Sequence, residues 1–177
     1  MIVALIIMSH TFLSAANYCL AQAENASFDG QVVAVSDGDT ISVLHNGINE
    51  RVRLNAIDCP EKIQAYGIEA KKMTCDLCLK KQVTVCTHGK DRFGRTIGDV
   101  RLPDGNEVNS ELVRSGLAWW YRKYDPVDTK LEQLEAEARA SKRGLWKDDS
   151  PLAPWDFRHG VRSTALGAPT NKSDEPK

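Results

Sequence analysis

The chain carries almost no net charge, with a formal balance of −1 over 177 residues, so no global basic field draws polyanions to it. A polyanion would have to be held by a local site, and its binding would weaken with added salt. No apolar run approaches the roughly 20 residues needed to span a bilayer. Internal repeats are absent too, which removes repeat architectures. A second Cys-x-x-Cys is missing, and without it Cys75-Asp76-Leu77-Cys78 makes a poor zinc site. His45, His88 and His159 share no spacing suited to a common metal, and each reads as a surface histidine with no assigned role.

Charge is also missing locally. The first 23 residues contain no Asp, Glu, Lys or Arg. An apolar stretch from Ile2 to Met8 gives way to small and polar residues ending in Ala21-Gln22-Ala23, the small-x-small pattern of a signal-peptidase site, with the cut after Ala23. A membrane anchor is the competing reading, and the shortness of the apolar run counts against it. Lipoprotein processing at Cys19 is disfavoured by the Ala16-Asn17-Tyr18 that precedes it. The expectation is a secreted or periplasmic chain with no stable membrane association after cleavage.

Export changes the meaning of the cysteines. Without Cys19 the chain keeps Cys59, Cys75, Cys78 and Cys86, an even number in an oxidising compartment. Cys75 and Cys78 fall late in a helical pattern, away from the helix N-terminus that would lower a thiol pKa. Helical residues three apart pair poorly with each other, so each should reach outward. The expected disulfides are Cys78–Cys86 and Cys59–Cys75.

Apolar alternation predicts strands over 31–35, 40–44 and 52–57, with His45-Asn46-Gly47 as the hairpin turn between the last two. A helix is expected over 66–81. Strands beginning at Val83 and spanning 96–102 follow, with a turn at Pro103-Asp104-Gly105. Helices over 108–115 and 129–143 are closed by Gly116 and Gly144. These elements suit an α+β, mainly β fold: a five-stranded barrel with three packed helices. The expected organisation is a signal peptide at 1–23, a short segment at 24–27, one domain at 28–147, an extension at 148–161 packed back on it, and a disordered tail at 162–177.

Three charged clusters then stand out: Asp37-Gly38-Asp39-Thr40, the run from Arg53 to Glu61 (RLNAIDCPE), and Asp91-Arg92-Phe93-Gly94-Arg95. Alone, the first is an ordinary turn, because Asp and Gly favour turns whatever the function. Asp58 changes the reading, since it ends a strand just before Cys59-Pro60, which forces an extended exit. Carboxylates at the ends of neighbouring strands can converge on one hard cation, giving a weak, water-rich site. Glu61, three residues on, could orient or deprotonate water beside such a cation. A surface pair with Lys62 is its bland alternative. Arg53 and Arg95 match the equatorial oxygens of a phosphoryl transition state, although either alone would more often be a solvated strand end. Together the clusters make a kit for metal-assisted phosphodiester cleavage.

The order DGDT, RLxxIDxPE and DRFGR strongly resembles the staphylococcal nuclease family, an OB-fold barrel with three helices. The resemblance covers about 28–146 and includes Tyr66-Gly67-Ile68-Glu69-Ala70, Val108-Asn109-Ser110-Glu111-Leu112-Val113 and Gly116-Leu117-Ala118. It implies that Asp39, Asp58 and the backbone carbonyl of Cys59 bind Ca2+, and that Arg53, Glu61 and Arg95 occupy the catalytic positions. It further implies Ca2+-dependent endonucleolytic hydrolysis of DNA and RNA, single strands preferred, leaving 3′-phosphate ends, by a monomer.

Several positions depart from the family pattern. Cys59 stands where the best-known members have Thr, and only its carbonyl is needed. The loop between Glu61 and Tyr66 is shorter, which bears on substrate access and on the mobility of Glu61. The substrate-contacting Lys-Tyr pair becomes Arg92-Phe93, keeping charge and ring. Tyr124 matches a second substrate-contacting Tyr, whose partner falls on Arg122. Stacking of bases on Phe93 and Tyr124 is therefore expected, whereas Trp119 and Trp120 suit packing. The alternatives are a non-catalytic nuclease-like module that binds nucleic acid or protein, and a metal phosphodiesterase for small nucleotides. Retention of both acids, the glutamate and both arginines argues against the first.

Overall fold

The computed structural model describes residues 26–160; the expected signal peptide at 1–23 and tail at 162–177 lie outside the described residues. Five strands close into a barrel in the order β1-β2-β3-β6-β5. They are β1 (Ser27–Asp37), β2 (Thr40–His45), β3 (Ile48–Leu54), β5 (Gln82–Lys90) and β6 (Thr96–Arg101). Neighbours run antiparallel except β3 and β6, which pair in parallel. Period-two alternation turns Val32, Ile41, Val43, Val52, Leu54, Val85 and Val100 into the barrel, where they are fully buried or nearly so. Gly98 on β6 marks a close approach: a Cβ there would lie 2.7 Å from the Val85 side chain.

The three expected helices are present as α1 (Gly67–Cys78), α2 (Val108–Arg114) and α3 (Thr129–Ala140). Helix α1 stops three residues short of its expected end: Leu79 leaves the helix with ψ 131°, and Lys80 then takes a left-handed φ of 64°. Helix α3 is capped by Asp128, whose carboxylate accepts from Leu131 N at 2.9 Å. A short helix, α4 (Pro154–Arg158), and a 3-10 turn at Gly144–Lys147 were not foreseen.

The strand expected over 52–57 is two pieces. β3 ends at Leu54, Ala56 sits at φ 56°, and β4 (Ile57–Asp58) turns away to pair with β7 (Trp119–Trp120). Nothing in Asn55-Ala56 announces that break, because Ala carries no preference for positive φ. The break matters for the site, since it redirects Asp58 away from the ladder on which Arg53 lies.

Neither expected disulfide forms: Cys59, Cys75 and Cys78 are free thiols. Cys78 belongs to the buried face of α1, inside the main core, and donates to Thr74 O. On β5 the residues Val83 and Val85 belong to that core, whereas Cys86, the next residue, is not part of it. Cys59 fails to meet Cys75 for a similar reason. Its side chain packs against Gly38 and the Ala70 face of α1, whereas Cys75 is outside the set of residues that α1 buries.

A second, smaller core joins the C-terminal segment to the domain. Trp119, Trp146 and Trp155 stack edge to face, with centroids 4.4 and 5.5 Å from Trp119, and Tyr121 lies 5.1 Å from Trp155. Beside it Glu135, 1% exposed, accepts from Trp120 N and pairs with Arg122 and Arg139. That arrangement satisfies a carboxylate that would otherwise be costly to bury.

Candidate active site

Strand register brings the three sequence clusters to one end of the barrel. Thr40 pairs with Arg53 across β2–β3, and Arg53 with Ile97 across β3–β6. The DGDT turn, the end of β3 and the Asp91–Arg95 turn therefore sit side by side. They line one cleft of about 720 Å³, which contains every residue singled out from the sequence: Asp39, Arg53, Asp58, Cys59, Glu61, Arg92, Phe93, Arg95 and Tyr124.

Arg53 organises the floor. Its Nη1 donates to Leu54 O at 2.8 Å and Ile57 O at 2.9 Å, which pins the chain across the β3–β4 break. Its Nη2 reaches Asp58 Oδ1 at 2.8 Å and Asp39 Oδ2 at 3.2 Å, so two carboxylates meet at one nitrogen. Asp39 also accepts from Cys59 N at 2.8 Å and from Thr40 Oγ1 at 3.2 Å. The backbone of Cys59 thus lies against Asp39, while burial and the Asp39 charge push its thiol well above the ordinary range. That sulfur stays protonated at neutral pH and is no thiolate ligand.

Asp37, the first residue of the DGDT turn, lines the same cleft. Burial and the neighbouring Asp39 charge raise its pKa, and its buried Oδ1 has no hydrogen-bond partner. The signal was available in the sequence, because the acids of DGDT stand two apart. Asp58 is likewise raised by burial, against the opposing pull of Arg158 and Arg53. No preassembled cluster of three or more His, Cys, Asp or Glu ligands occurs among the described residues. The donor set nevertheless fits a hard divalent cation: two converging carboxylates, all-oxygen chemistry, and an unsatisfied acid oxygen close by.

Glu61 is held by its own short loop. Its backbone N donates to Gln64 Oε1 at 3.1 Å and its carbonyl accepts from Gln64 N at 2.8 Å. Gln64 in turn donates to Leu152 O, tying the loop to the C-terminal segment. Gly67, the first residue of α1, abuts this loop so closely that a Cβ would lie 2.0 Å from Glu61 O. The shortened loop is braced on both sides.

Arg95 is oriented by Asp91. Asp91 Oδ2 accepts from Arg95 Nε at 2.7 Å, and its Oδ1 caps the backbone N of Phe93 and Arg95. Burial would raise the Asp91 pKa, but these donors outweigh it and hold the carboxyl below its usual range. Gly94, at φ 76°, supplies the positive φ that brings Arg95 round, leaving Nη1 3.4 Å from Thr40 Oγ1. Phe93 and Tyr124 are exposed at the cleft mouth, and the Arg92 guanidinium lies over the Phe93 ring at 4.7 Å. Tyr124 stacks edge to face on Tyr121 at 4.9 Å.

The residue that sequence reasoning missed altogether is Arg158, at the end of α4. Its Nη2 pairs with Asp58 Oδ2 and its Nη1 with Glu61 Oε1, both at 2.7 Å. No motif signals it, since it lies in the extension beyond the resembled region and 100 residues from Asp58.

Comparison with known proteins agrees with this geometry. Residues 51–148 match the family model described as Staphylococcal nuclease homologue. An uncharacterized endonuclease of Escherichia coli O157:H7 is 47% identical over 134 residues, covering 76% of this chain and 87% of that protein. A micrococcal nuclease of Shigella flexneri is 40% identical over 147 residues, covering 78% of this chain and 84% of that protein. An uncharacterized endonuclease of Haemophilus influenzae is 41% identical over 131 residues, covering 72% and 71%. With a carboxylate-and-arginine cleft at the end of a closed five-stranded barrel, and with these relatives, the chain belongs to the staphylococcal nuclease family.

Proposed function

We propose that the chain is a Ca2+-dependent endonuclease that hydrolyses DNA and RNA to 3′-phosphate ends, with single strands preferred. The observation that carries this reading is the meeting of Asp39, Asp58, Glu61, Arg53 and Arg95 in one cleft. Asp39, Asp58 and the Cys59 carbonyl would hold the cation. Bound there, Ca2+ would supply positive charge to a phosphoryl oxygen and a template for water. Glu61 accepts the proton of the attacking water, or orients that water, as its P–O bond forms and the bond from phosphorus to the 5′-oxygen breaks. Arg95, and Arg53 through its Nε–H because its Nη groups already hold the floor, would donate to the non-bridging oxygens, whose charge grows in the transition state. Arg92, Phe93 and Tyr124 offer a charge and two exposed rings for the adjoining phosphate and bases.

The test is digestion of single-stranded and duplex DNA, of RNA and of a dinucleotide with Ca2+, Mg2+ or EDTA, followed by end-group analysis. Cleavage with Ca2+, silence in EDTA and 3′-phosphate products are expected. Binding of nucleic acid without cleavage in Ca2+ would instead favour a non-catalytic module, and cleavage restricted to dinucleotides would favour a small-nucleotide phosphodiesterase. We further propose that the protein acts as a secreted or periplasmic monomer cut after Ala23, on the strength of the uncharged, apolar first 23 residues. Mass analysis of exported protein that retains Met1 would overturn the cleavage.

A further inference from the structure

The C-terminal extension does more than cover an apolar patch, because it delivers a cation into the cleft. We propose that Arg158 is an internal counter-cation for Asp58 and Glu61, a positioning residue that competes with a divalent cation for Asp58. The proposal rests on the cation-dependent reading above and adds to it a competition built into this chain.

The geometry is specific. Arg158 Nη2 lies 2.7 Å from Asp58 Oδ2, and its Nη1 lies 2.7 Å from Glu61 Oε1 and 3.4 Å from Asp58 Oδ1. Asp58 Oδ1 is already engaged by Arg53 at 2.8 Å. Both oxygens of a side chain only 2% exposed are therefore committed to guanidinium groups. Of its roughly four lone-pair sites, three already take guanidinium contacts, so a divalent cation drawing on Asp58 crowds them and brings like charges together.

Arg158 is the one that yields. Arg53 is fixed by two backbone carbonyls and has a side chain 16% exposed, whereas that of Arg158 is 44% exposed and, among the described residues, bonds only to the two acids. Delivery of Arg158 is nonetheless built in. Trp155, three residues earlier, is lodged between Trp119 and Tyr121, and Leu152 O accepts from Gln64 of the Glu61 loop. The segment thus places one guanidinium where it holds Glu61 and Asp58 together, and linkage makes that contact and cation binding mutually weakening.

Calorimetric titration of Ca2+ into purified full chain at low ionic strength tests this, comparing wild type, Arg158→Gln, Arg158→Lys and Asp58→Asn. Arg158→Gln should bind Ca2+ about fivefold or more tightly than wild type, with Arg158→Lys in between. A merely structural Arg158 would give the opposite sign, since a damaged site binds the cation more weakly. Equal or weaker affinity in Arg158→Gln, with wild-type binding intact and lost in Asp58→Asn, overturns the competition while leaving the cation site standing. No Ca2+ binding in wild type and variants alike removes the cation site and this proposal with it. Should Arg158→Gln fail to fold, Arg158→Lys carries the same prediction, because it keeps the charge and loses the two-pronged reach.

Discussion

Arg53 and Arg95 look equivalent in sequence but differ in what they support, and replacing Arg53 by Gln tests that difference. Arg53 makes four contacts, two to backbone carbonyls across the β3–β4 break and two to Asp39 and Asp58. Glutamine retains one short donor and no charge, so two acids are left facing each other in a nearly buried floor. Breaking a buried ion pair from one side costs about 3–5 kcal/mol. Asp58 keeps Arg158 as a second partner and Asp39 keeps Cys59 N, so the low end applies, about 3 kcal/mol. For a chain of this size that is a fall in Tm of roughly 10 °C. The cause can be isolated by a double-mutant cycle with Asp58→Asn. Removing one acid relieves the repulsion, so the double variant should be more stable than the sum of the single losses predicts, by about 1–2 kcal/mol. Urea unfolding in EDTA at neutral pH, followed through the four tryptophans, gives all four corners of the cycle. Additive losses, or an Arg53→Gln protein within about 0.5 kcal/mol of wild type, would show that the arginine does not hold the carboxylates.

Other variants separate chemistry from scaffold. Arg95→Lys should lower kcat by about 10²–10³ through loss of the guanidinium fork, while stability moves by less than about 1 kcal/mol because its main contact is a single pair with Asp91; near-normal turnover would remove Arg95 from the mechanism. Gly67→Ala should cost more than about 2 kcal/mol and depress activity, since the new methyl would sit 2.0 Å from Glu61 O; a stable, fully active variant would show that the Glu61 loop is not braced there. His88, hydrogen-bonded to Asp99 at 2.7 Å, has its pKa raised mainly by that bond. Its contribution should be fully present below the unfolded value near 6.5 and disappear as pH rises through the folded one. Stability curves of wild type and His88→Gln should therefore differ by up to about 1 kcal/mol at pH 5.5 and converge at high pH; a gap that widens with pH refutes the pairing.

The legible parts of this protein are those set by short-range rules. Alternation identified the strands, and the order of the charged clusters located the acids and arginines that the barrel register brings together. Breaks in those rules were invisible. Ala56 enters the left-handed region without a glycine to announce it, so one strand was expected where two diverge. Cys78 and Cys86 are close in sequence, yet Cys78 joins the main core and Cys86 does not, and only the packing of α1 against the barrel decides that. Arg158 was illegible for a different reason, because a lone arginine in an extension carries no pattern and its partners lie 97 and 100 residues away.

The closure of the barrel also governs when the cleft can exist. Arg95 meets Thr40 across 55 residues, β3 and β6 pair in parallel rather than through a hairpin, and Asp58 waits for Arg158 across 100. Such contacts reward the chain only after the entropy of long loops has been met. No fragment that stops short of β6 can hold the constellation, so a chain cut there is expected to be inactive. Recovery of activity on refolding should then trail the burial of Trp120 in the main core and never precede it.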